Sequence, residues 1–259
     1  GEKRVLTEKL DNWVEDFKWS DDSKDIYFLT PERGYEPLYK LNLKSGRWKP
    51  VVRQRAIQGF DCDGKGNVYY TYTTTGKPVD LYKANERKGG EEQLTFYNQK
   101  LEEEVDIRPS EQMWVMGADG DSVHVFIVKP HNFDPNKKYP LVINVHGGPQ
   151  MQWMDSYRGD WQVYPGAGYV VAYPNPHGST GYGQAFTRAI SQDWGGKPYE
   201  DVLAVADALA KLPYVDKDRM GAMGWSYGGY FMNWLQGHKH PFKCLASMMG
   251  LYDLPSMWG

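Results

Sequence analysis

Gly224-Trp225-Ser226-Tyr227-Gly228-Gly229 contains the pattern G-x-S-x-G, which is the signature of a nucleophile elbow. In an elbow the serine lies on a strained turn between a strand and a helix, so the residues two positions before and after it must be small. Gly224 and Gly228 meet that requirement. The stretch therefore predicts a strand, a sharp turn and a helix, with Ser226 as a catalytic nucleophile.

The segments around the elbow alternate between strand and helix patterns. Short apolar runs bounded by loops predict strands buried on both faces, at residues 141–145, 169–173, 219–223 and 244–249. Apolar residues recur at helical spacing over 199–212, and a second helix is predicted at 227–237, after the elbow. This order predicts an α/β domain with a mostly parallel sheet over residues 106–259.

A hairpin and a linker precede these elements. Residues 113–116 and 123–128 flank the Gly- and Asp-rich turn 117–121, a pattern typical of a β-hairpin. The polar, acidic stretch 99–110 is interpreted as a linker to the preceding part of the chain.

The N-terminal part of the chain contains an imperfect repeat. Residues 38–42 read LYKLN and residues 81–85 read LYKAN, and each copy follows an Asp-rich turn, at 20–24 and at 61–65. A period of roughly 40 to 45 residues with several short strands per unit is typical of propeller blades. About two blades of a β-propeller are therefore predicted over residues 1–105, and a small antiparallel sandwich is the alternative.

The first residues resemble the end of the second repeat. Residues 2–7 read EKRVLT and residues 91–95 read EEQLT, which predicts that the chain begins on the closing strand of an earlier blade. Because three or more repeats are normally needed for a stable array, we expect further blades upstream.

The composition is that of a globular protein. The 259 residues are 41% hydrophobic and 24% charged, and the formal net charge is −3. No long run of like charge or of apolar residues occurs, so neither nucleic acid nor a membrane is an expected partner. The two cysteines, Cys62 and Cys244, predict neither a disulfide framework nor a metal site, and no cofactor is expected.

A second motif supplies hydrogen-bond donors for the chemistry of the serine. An acyl-transfer intermediate needs donors aimed at its oxyanion, and the backbone N–H of Tyr227, directly after the nucleophile, is one of them. His146-Gly147-Gly148-Pro149 follows the predicted strand 141–145, which is where such hydrolases carry a glycine-rich oxyanion loop. Gly147 or Gly148 is therefore predicted to supply the second donor.

The base and the acid of a catalytic triad are harder to place. His238 and His240 lie at the far end of the predicted helix, about 18 Å or more from the serine at 1.5 Å per residue. The other four histidines precede Ser226, which breaks the expected order of serine, acid and histidine; they are His124, His131, His146 and His177. Asp253, after the run 244–249, is a candidate acid, with a helix cap or a turn residue as the alternative.

Further motifs resemble the prolyl oligopeptidase family of serine peptidases, in its acylaminoacyl-peptidase and bacterial dipeptidyl peptidase 5 branch. They are Asn175-Pro176-His177-Gly178-Ser179-Thr180-Gly181-Tyr182-Gly183, Asp193-Trp194-Gly195-Gly196, Pro213-Tyr214-Val215-Asp216, and the elbow itself. The resemblance implies an α/β-hydrolase domain, preceded by a β-propeller that restricts access to oligopeptides. It also implies cleavage that releases dipeptides or acyl amino acids, with the amides of Gly148 and Tyr227 in the oxyanion hole.

The chain departs from the family pattern in two ways. His177 stands where the family commonly has arginine, and the family's triad acid and histidine lie beyond residue 259. The resemblance therefore implies an α/β-hydrolase sheet that is incomplete at its C-terminus. We expect the chain to be an internal segment of a longer peptidase, inactive alone and partnered by the remaining segments of that polypeptide.

Alternative functions and several properties stay open at this stage. A carboxylesterase would share the elbow, and a non-catalytic peptide-binding propeller protein would carry a vestigial hydrolase half. Three aromatic residues are candidates for the pocket wall, although packing is the commoner role; they are Trp153, Tyr182 and Trp225. The resemblance is compatible with a homodimer and with either a periplasmic or a cytoplasmic location, and it favours the bacterial periplasm slightly.

Overall fold

The computed structural model describes residues 3–258, and the chain divides into two compact units. The first unit comprises residues 1–107, 154–157 and 180–184. The second comprises residues 108–153, 158–179 and 185–259.

Two four-stranded antiparallel sheets form the first unit, and in each of them the strands are ordered as in the sequence. The first sheet contains β1 (Asp16–Trp19), β2 (Asp25–Leu29), β3 (Leu38–Asn42) and β4 (Arg47–Val52). The second contains β5 (Ala56–Cys62), β6 (Asn67–Thr74), β7 (Lys77–Asn85) and β8 (Glu91–Gln93). A short helix, α1 (Gln99–Glu104), follows.

The internal repeat occupies equivalent places in the two sheets. Residues 38–42 are β3 and residues 81–85 end β7, so each copy is the third strand of its sheet. The Asp-rich turns join the first strand to the second, and one buried core is shared by both sheets. That core includes Leu29, Leu38 and Val52 from the first sheet and Phe60, Val68 and Tyr70 from the second. Each sheet therefore buries apolar side chains against the other, as repeated units must do.

One prediction for the N-terminal part is wrong in detail. Residues 3–7 do not form the predicted closing strand, because they pair with no other strand in the described part of the chain, and Glu2 lies outside the described residues. The segment 99–110, interpreted as a linker, contains α1, which buries no side chain. A helix without a buried face leaves no apolar period in the sequence from which to predict it.

The second unit contains a six-stranded mixed sheet, five α-helices and one 3₁₀ turn (Ala118–Gly120) among its described residues. Its strands are β9 (Ser110–Met116), β10 (Ser122–Val128), β11 (Tyr139–Val145), β12 (Val170–Asn175), β13 (Val215–Trp225) and β14 (Cys244–Met248). Its helices are α2 (Asp160–Gly166), α3 (Gln184–Arg188), α4 (Gly196–Ala210), α5 (Tyr227–Gln236) and α6 (Leu254–Trp258).

The topology confirms the predicted hairpin and the mostly parallel sheet. The strand order is β14-β13-β11-β12-β10-β9, in which β14, β13, β11 and β12 run parallel and the hairpin of β9 and β10 is antiparallel. Because parallel strands point their carboxyl ends to the same edge, the loops after β11, β12 and β13 lie together at one edge of the sheet. The elbow is one of these loops.

Helices cover both faces of this sheet. Along β12, Val170 and Ala172 belong to the core formed with α4 and α5, whereas Val171 and Tyr173 pack on the opposite face with Trp161 of α2. Strand side chains alternate between faces, so a strand covered on both sides must be apolar at every position. This explains why 169–173 appears as an uninterrupted apolar run.

The prediction that β14 is buried on both faces is wrong. None of its five residues is buried, and it forms one edge of the sheet among the described residues. It packs on α5, but no described element lies beside its outer edge. An apolar run alone does not distinguish a central strand from an edge strand.

Candidate active site

Ser226 lies between the end of β13 and the start of α5, as the motif predicts. Its backbone has φ 56° and ψ −114°, a conformation that a side-chain-bearing residue adopts rarely and at a cost of about 1–3 kcal/mol. Two backbone hydrogen bonds hold the turn: the N–H of Ser226 donates to Met248 (3.0 Å) and its carbonyl accepts from Tyr230 (2.9 Å). The residue is half-buried, and its hydroxyl makes no hydrogen bond within residues 3–258.

The glycines of the elbow are required by close packing. A Cβ atom on Gly224 would lie 2.4 Å from the carbonyl carbon of Gly228. A Cβ on Gly228 would lie 2.1 Å from the carbonyl oxygen of Val145 on the neighbouring strand. Both distances are far below van der Waals contact, so only glycine fits either position.

The loop 146–149 lies directly beside the elbow. Val145 at the end of β11 pairs with Gly224 at the end of β13, so both chains leave the sheet at the same level. A Cβ on Gly147 would lie 3.4 Å from Cβ of Ser226 and 3.1 Å from the carbonyl oxygen of Trp225. The structure therefore brings the predicted oxyanion loop next to the predicted nucleophile.

Unengaged backbone amides accompany the serine hydroxyl. Among the described residues, nothing accepts a hydrogen bond from the backbone N–H of Tyr227, Gly147 or Gly148. Tyr227 is the first residue of α5, where the N–H groups have no partner within the helix and the helix dipole favours a negative charge. An anion placed at this turn would find donors that no protein group occupies.

His146, at the start of the glycine loop, is buried, and both of its ring nitrogens contact groups other than Ser226. Its Nδ1 lies 2.7 Å from the carbonyl oxygen of Gly147, and its Nε2 lies 2.8 Å from Oγ of Ser179 in the loop after β12. Burial lowers the pKa of His146 to about 4, so the ring is neutral at pH 7. The ring therefore joins two of the loops that meet at this edge.

His177 forms a second buried histidine site in the loop after β12. Its Nδ1 lies 2.7 Å from Oδ2 of Asp201 on α4, and its Nε2 lies 3.2 Å from Oδ2 of Asp121. Burial opposes a charge on the ring, but the hydrogen bonds and charges of the two carboxylates outweigh it and raise the pKa of His177. The other oxygen of Asp201 accepts the N–H of Ala118 (2.8 Å), so this carboxylate ties α4 to both the β9–β10 turn and the His177 loop.

His177 should make stability depend on pH on the alkaline side. A raised pKa in the folded state contributes stability that is complete below the ordinary pKa of about 6.5 and is lost as pH rises through the folded pKa. We expect the urea midpoint of the second unit to fall between pH 6.5 and 9, and His177→Gln to flatten this decline. The exposed His238→Gln is the matched control and should leave the slope unchanged; an equal slope in wild type and His177→Gln would contradict the prediction.

Three further candidates for the acid and the base contact groups other than the serine. His124, on β10, stacks on Trp114 with ring centroids 4.4 Å apart. His238 follows the end of α5, the helix that Ser226 precedes, and stacks on Trp234. Asp253 is exposed, precedes α6 and accepts a hydrogen bond from the hydroxyl of Ser256.

Two of the predicted pocket-wall aromatics differ in their surroundings. Trp153 is 6% exposed and packs edge-on against Trp161 and Tyr173, which is a core role. Trp225, directly before the serine, is 55% exposed. Trp225 is therefore the one of the two that an incoming ligand could contact.

The roles of Ser179 and Asp201 were not foreseen from the sequence. The position of Asp201 could have indicated its role. It lies four residues before Val205, on the apolar face of α4, where a buried carboxylate without a hydrogen-bond partner would destabilise the fold. No sequence pattern indicated the role of Ser179, because nothing in the sequence relates its position to that of His146. Within residues 3–258, no group of three His, Cys, Asp or Glu side chains is arranged to hold a metal ion, and no helix is long and apolar enough to cross a bilayer.

The sequence is similar to a family of known proteins and to individual members with the same name. Residues 143–259 match the sequence profile described as the prolyl oligopeptidase family. Dipeptidyl-peptidase 5 of Schizosaccharomyces pombe is 32% identical over 263 residues, which cover 98% of this chain and 38% of that protein. Dipeptidyl-peptidase 5 of Porphyromonas gingivalis is 33% identical over 258 residues, with the same two coverages. The chain thus spans 38% of the length of these relatives.

A solved structure supports the same grouping. An acylaminoacyl peptidase in complex with Z-Gly-Gly-Phe-chloromethyl ketone superposes with a TM-score of 0.86 at 28% identity. The superposition covers 95% of this chain and 39% of that chain. The similarity therefore includes both units of the chain and extends beyond the elbow.

Proposed function

Because the chain belongs to the prolyl oligopeptidase family, we propose that it forms part of a serine peptidase that acts on oligopeptides through Ser226. The observation that carries the proposal is the strained turn at Ser226, where the hydroxyl and the neighbouring backbone amides have no hydrogen-bond partner within residues 3–258. Relatives named dipeptidyl-peptidase 5 and a neighbour named acylaminoacyl peptidase support release of N-terminal dipeptides or acyl amino acids.

The chemistry follows from the turn. Oγ of Ser226 would bond to the carbonyl carbon of the scissile peptide while its proton passes to a base, and the carbonyl oxygen would become an oxyanion. The N–H groups of Tyr227 and Gly148 would stabilise that oxyanion. Collapse of the intermediate breaks the C–N bond, the departing amine takes the proton, and water then releases the acyl group from the serine.

We propose that the base and the acid lie outside residues 3–258. His146 and His177 hold other partners, and His238 is placed at the opposite end of α5 from the serine. Without a base, Ser226 would keep its hydroxyl proton and react slowly, so residues 1–259 alone should show only the residual catalysis of the oxyanion hole and binding.

We also propose that the two four-stranded sheets are consecutive blades of a β-propeller. Their equivalent strand orders and the repeated third strands support this assignment. The six-stranded sheet with helices on both faces supports assignment of the second unit to part of an α/β-hydrolase domain.

The function is tested by labelling the full-length protein that contains this chain with a fluorophosphonate probe. We expect mass spectrometry to locate the probe on Ser226, and we expect Ser226→Ala to abolish labelling while the exposed Ser191→Ala leaves it unchanged. Dipeptidyl and acyl-aminoacyl amides should be hydrolysed by the wild type. Labelling that persists in Ser226→Ala, or hydrolysis of short-chain esters without any peptide hydrolysis, would contradict the proposal.

A further inference from the structure

His177 lies between two carboxylates that belong to different elements of the second unit. Its Nδ1 lies 2.7 Å from Oδ2 of Asp201 on α4, and its Nε2 lies 3.2 Å from Oδ2 of Asp121, which directly follows the 3₁₀ turn between β9 and β10. The backbone N–H of His177 also donates to Oδ2 of Asp201 (2.7 Å). The buried ring stacks on Phe186 of α3, with centroids 4.2 Å apart. One side chain therefore contacts the β9–β10 turn, α3 and α4.

The two carboxylates determine the charge of the ring. A carboxylate can only accept, so both contacts are hydrogen bonds only if Nδ1 and Nε2 each carry a proton, which makes the ring an imidazolium. Both oxygens of Asp201 already accept backbone N–H groups, from Ala118 and from His177, and so act as acceptors. A neutral ring has one proton, and its bare nitrogen would face a carboxylate oxygen with no hydrogen between them. The arrangement therefore fits the charged ring and not the neutral one.

The two contacts differ in how easily they can be lost. The Asp201 side chain is fully buried, so loss of the ring proton that faces it would leave a buried charge without its cation. The Asp121 side chain is 60% exposed, and water can replace the ring as its partner. When the ring loses one proton, we therefore expect Nδ1 to keep its hydrogen for Asp201 and Nε2 to become bare. The resulting repulsion acts on the exposed Asp121.

The balance of charge around the ring depends on its proton. Lys197 is the second cation of this group and pairs with Asp119 (2.6 Å). The charge of His177 acts on Asp119, and the charges of Asp121 and Asp201 act on Lys197. A charged ring therefore gives three carboxylates two cations, whereas a neutral ring leaves them one. Among these side-chain types, imidazole is the one whose ordinary pKa, about 6.5, lies near neutral pH.

The position of the pH range follows from the same contacts. Burial opposes a charge on the ring, but the hydrogen bonds and charges of the two carboxylates outweigh it and raise the pKa of His177. The ring therefore loses its proton above the ordinary value of about 6.5, on the alkaline side of neutral pH.

We propose that His177 is a pH-dependent link between the β9–β10 turn and the loop after β12. The charged ring holds Asp121 against this loop. Loss of one proton releases Asp121 and loosens residues 117–121, while Asp201 keeps the loop attached to α4. The loop lies at the sheet edge that carries Ser226, so the link acts beside the candidate active site. The proposal does not depend on the proposed peptidase function.

The protonation states are measured by ¹⁵N NMR of the histidine-labelled full-length protein that contains this chain. We expect both ring nitrogens of His177 to carry hydrogen at pH 6, and only Nδ1 to carry it above the titration midpoint. Asp121→Asn should lower that midpoint, because it removes one of the two negative charges that favour the imidazolium. A neutral ring at pH 6, or a ring that keeps hydrogen on Nε2 above the midpoint, would overturn the proposal.

The release of the turn is measured by amide hydrogen exchange in the same protein at pH 6 and pH 9, after correction for the intrinsic effect of pH. Two backbone hydrogen bonds close the turn, from the N–H of Gly117 to Asp121 (2.8 Å) and from the N–H of Asp121 to Ala118 (2.9 Å). We expect the protection of these two amides to fall by about tenfold or more at pH 9, which corresponds to the loss of one charge-assisted hydrogen bond. Equal protection at the two pH values would overturn the proposal.

Two substitutions of His177 test whether its charge is responsible. The guanidinium of His177→Arg stays charged and can donate to both carboxylates, so protection of residues 117–121 should be the same at pH 6 and pH 9. His177→Gln carries no charge and should show low protection at both. The exposed His238→Gln is the control and should keep the pH dependence of the wild type.

A substitution at the exposed partner covers the case in which His177→Arg does not fold. Asp121→Asn removes the charge that the neutral ring would repel, so the protection of residues 117–121 should no longer depend on pH. A pH dependence equal to that of the wild type, in either His177→Arg or Asp121→Asn, would overturn the proposal.

Discussion

Replacing Gly228 with alanine is expected to destabilise the second unit by about 3 kcal/mol or more. Helix propensity alone predicts the opposite, since alanine is favoured over glycine by about 1 kcal/mol inside a helix such as α5. The added Cβ, however, would lie 2.1 Å from the carbonyl oxygen of Val145 and 3.0 Å from that of His146. Both are backbone atoms, one in the last residue of β11 and one in the residue after it, so neither can move without displacing the six-stranded sheet.

The same helix offers a matched control for this substitution. Gly237, at the C-terminal end of α5, has φ −87°, and a Cβ there would meet only the carbonyl oxygen of Trp234 at 3.6 Å. Gly237→Ala should therefore leave stability unchanged or raise it slightly. The free energy of unfolding of each variant is measured by urea unfolding, with pulse proteolysis as the probe of the unfolded fraction. Both variants are made in the same polypeptide. The clash argument fails if Gly228→Ala is as stable as Gly237→Ala.

Gly228 also shows why the elbow could be predicted from the sequence. The motif fixes a glycine two residues after the serine because the turn leaves no room for a Cβ, and the structure gives the distance that enforces it. The flanking strand and helix were predicted for a related reason: β13 buries a continuous run of residues, 220–224, and α5 buries apolar side chains at helical spacing. A structural constraint that acts within a few residues can therefore be predicted from a short stretch of sequence.

Contacts between distant segments left no such pattern. His146 and Ser179 are brought together only by the parallel order of β11 and β12, and the pairing of His177 with Asp201 depends on how α4 packs on the sheet. The wrong prediction for β14 has the same origin, because its burial depends on which neighbours flank it. A local sequence window contains none of this information.

Substitution of Glu36, in the first unit, is also expected to change the free energy of unfolding substantially. The residue is 8% exposed, and its Oε1 has no hydrogen-bond partner within the described part of the chain. Burial, with a smaller contribution from the negative charge of Glu15, raises the pKa of this carboxyl to about 8. At neutral pH the side chain is therefore protonated in the folded protein and ionised in the unfolded chain.

This difference makes Glu36 destabilising above its ordinary pKa. Because the folded state holds the proton more tightly, stability declines as pH rises from about 4.5 to about 8. At 1.36 kcal/mol per pKa unit, the accumulated cost at pH 7 is roughly 3 kcal/mol. Glu36→Gln keeps the shape of the side chain but does not titrate. We therefore expect it to stabilise the first unit by roughly 2–3 kcal/mol at pH 7–8 and by much less at pH 5.

The measurement is the urea midpoint for unfolding of β2 and β3, at pH 5 and at pH 8. Unfolding is monitored by pulsed hydrogen exchange of peptides from these two strands. Glu15→Gln is the control, because it removes only the smaller electrostatic contribution and should yield a correspondingly smaller gain at pH 8. A gain from Glu36→Gln that is the same at both pH values would show that the carboxyl affects packing and does not titrate in this range. A loss of stability at pH 8 would show that the ionised carboxylate has a stabilising partner, which contradicts the burial argument directly.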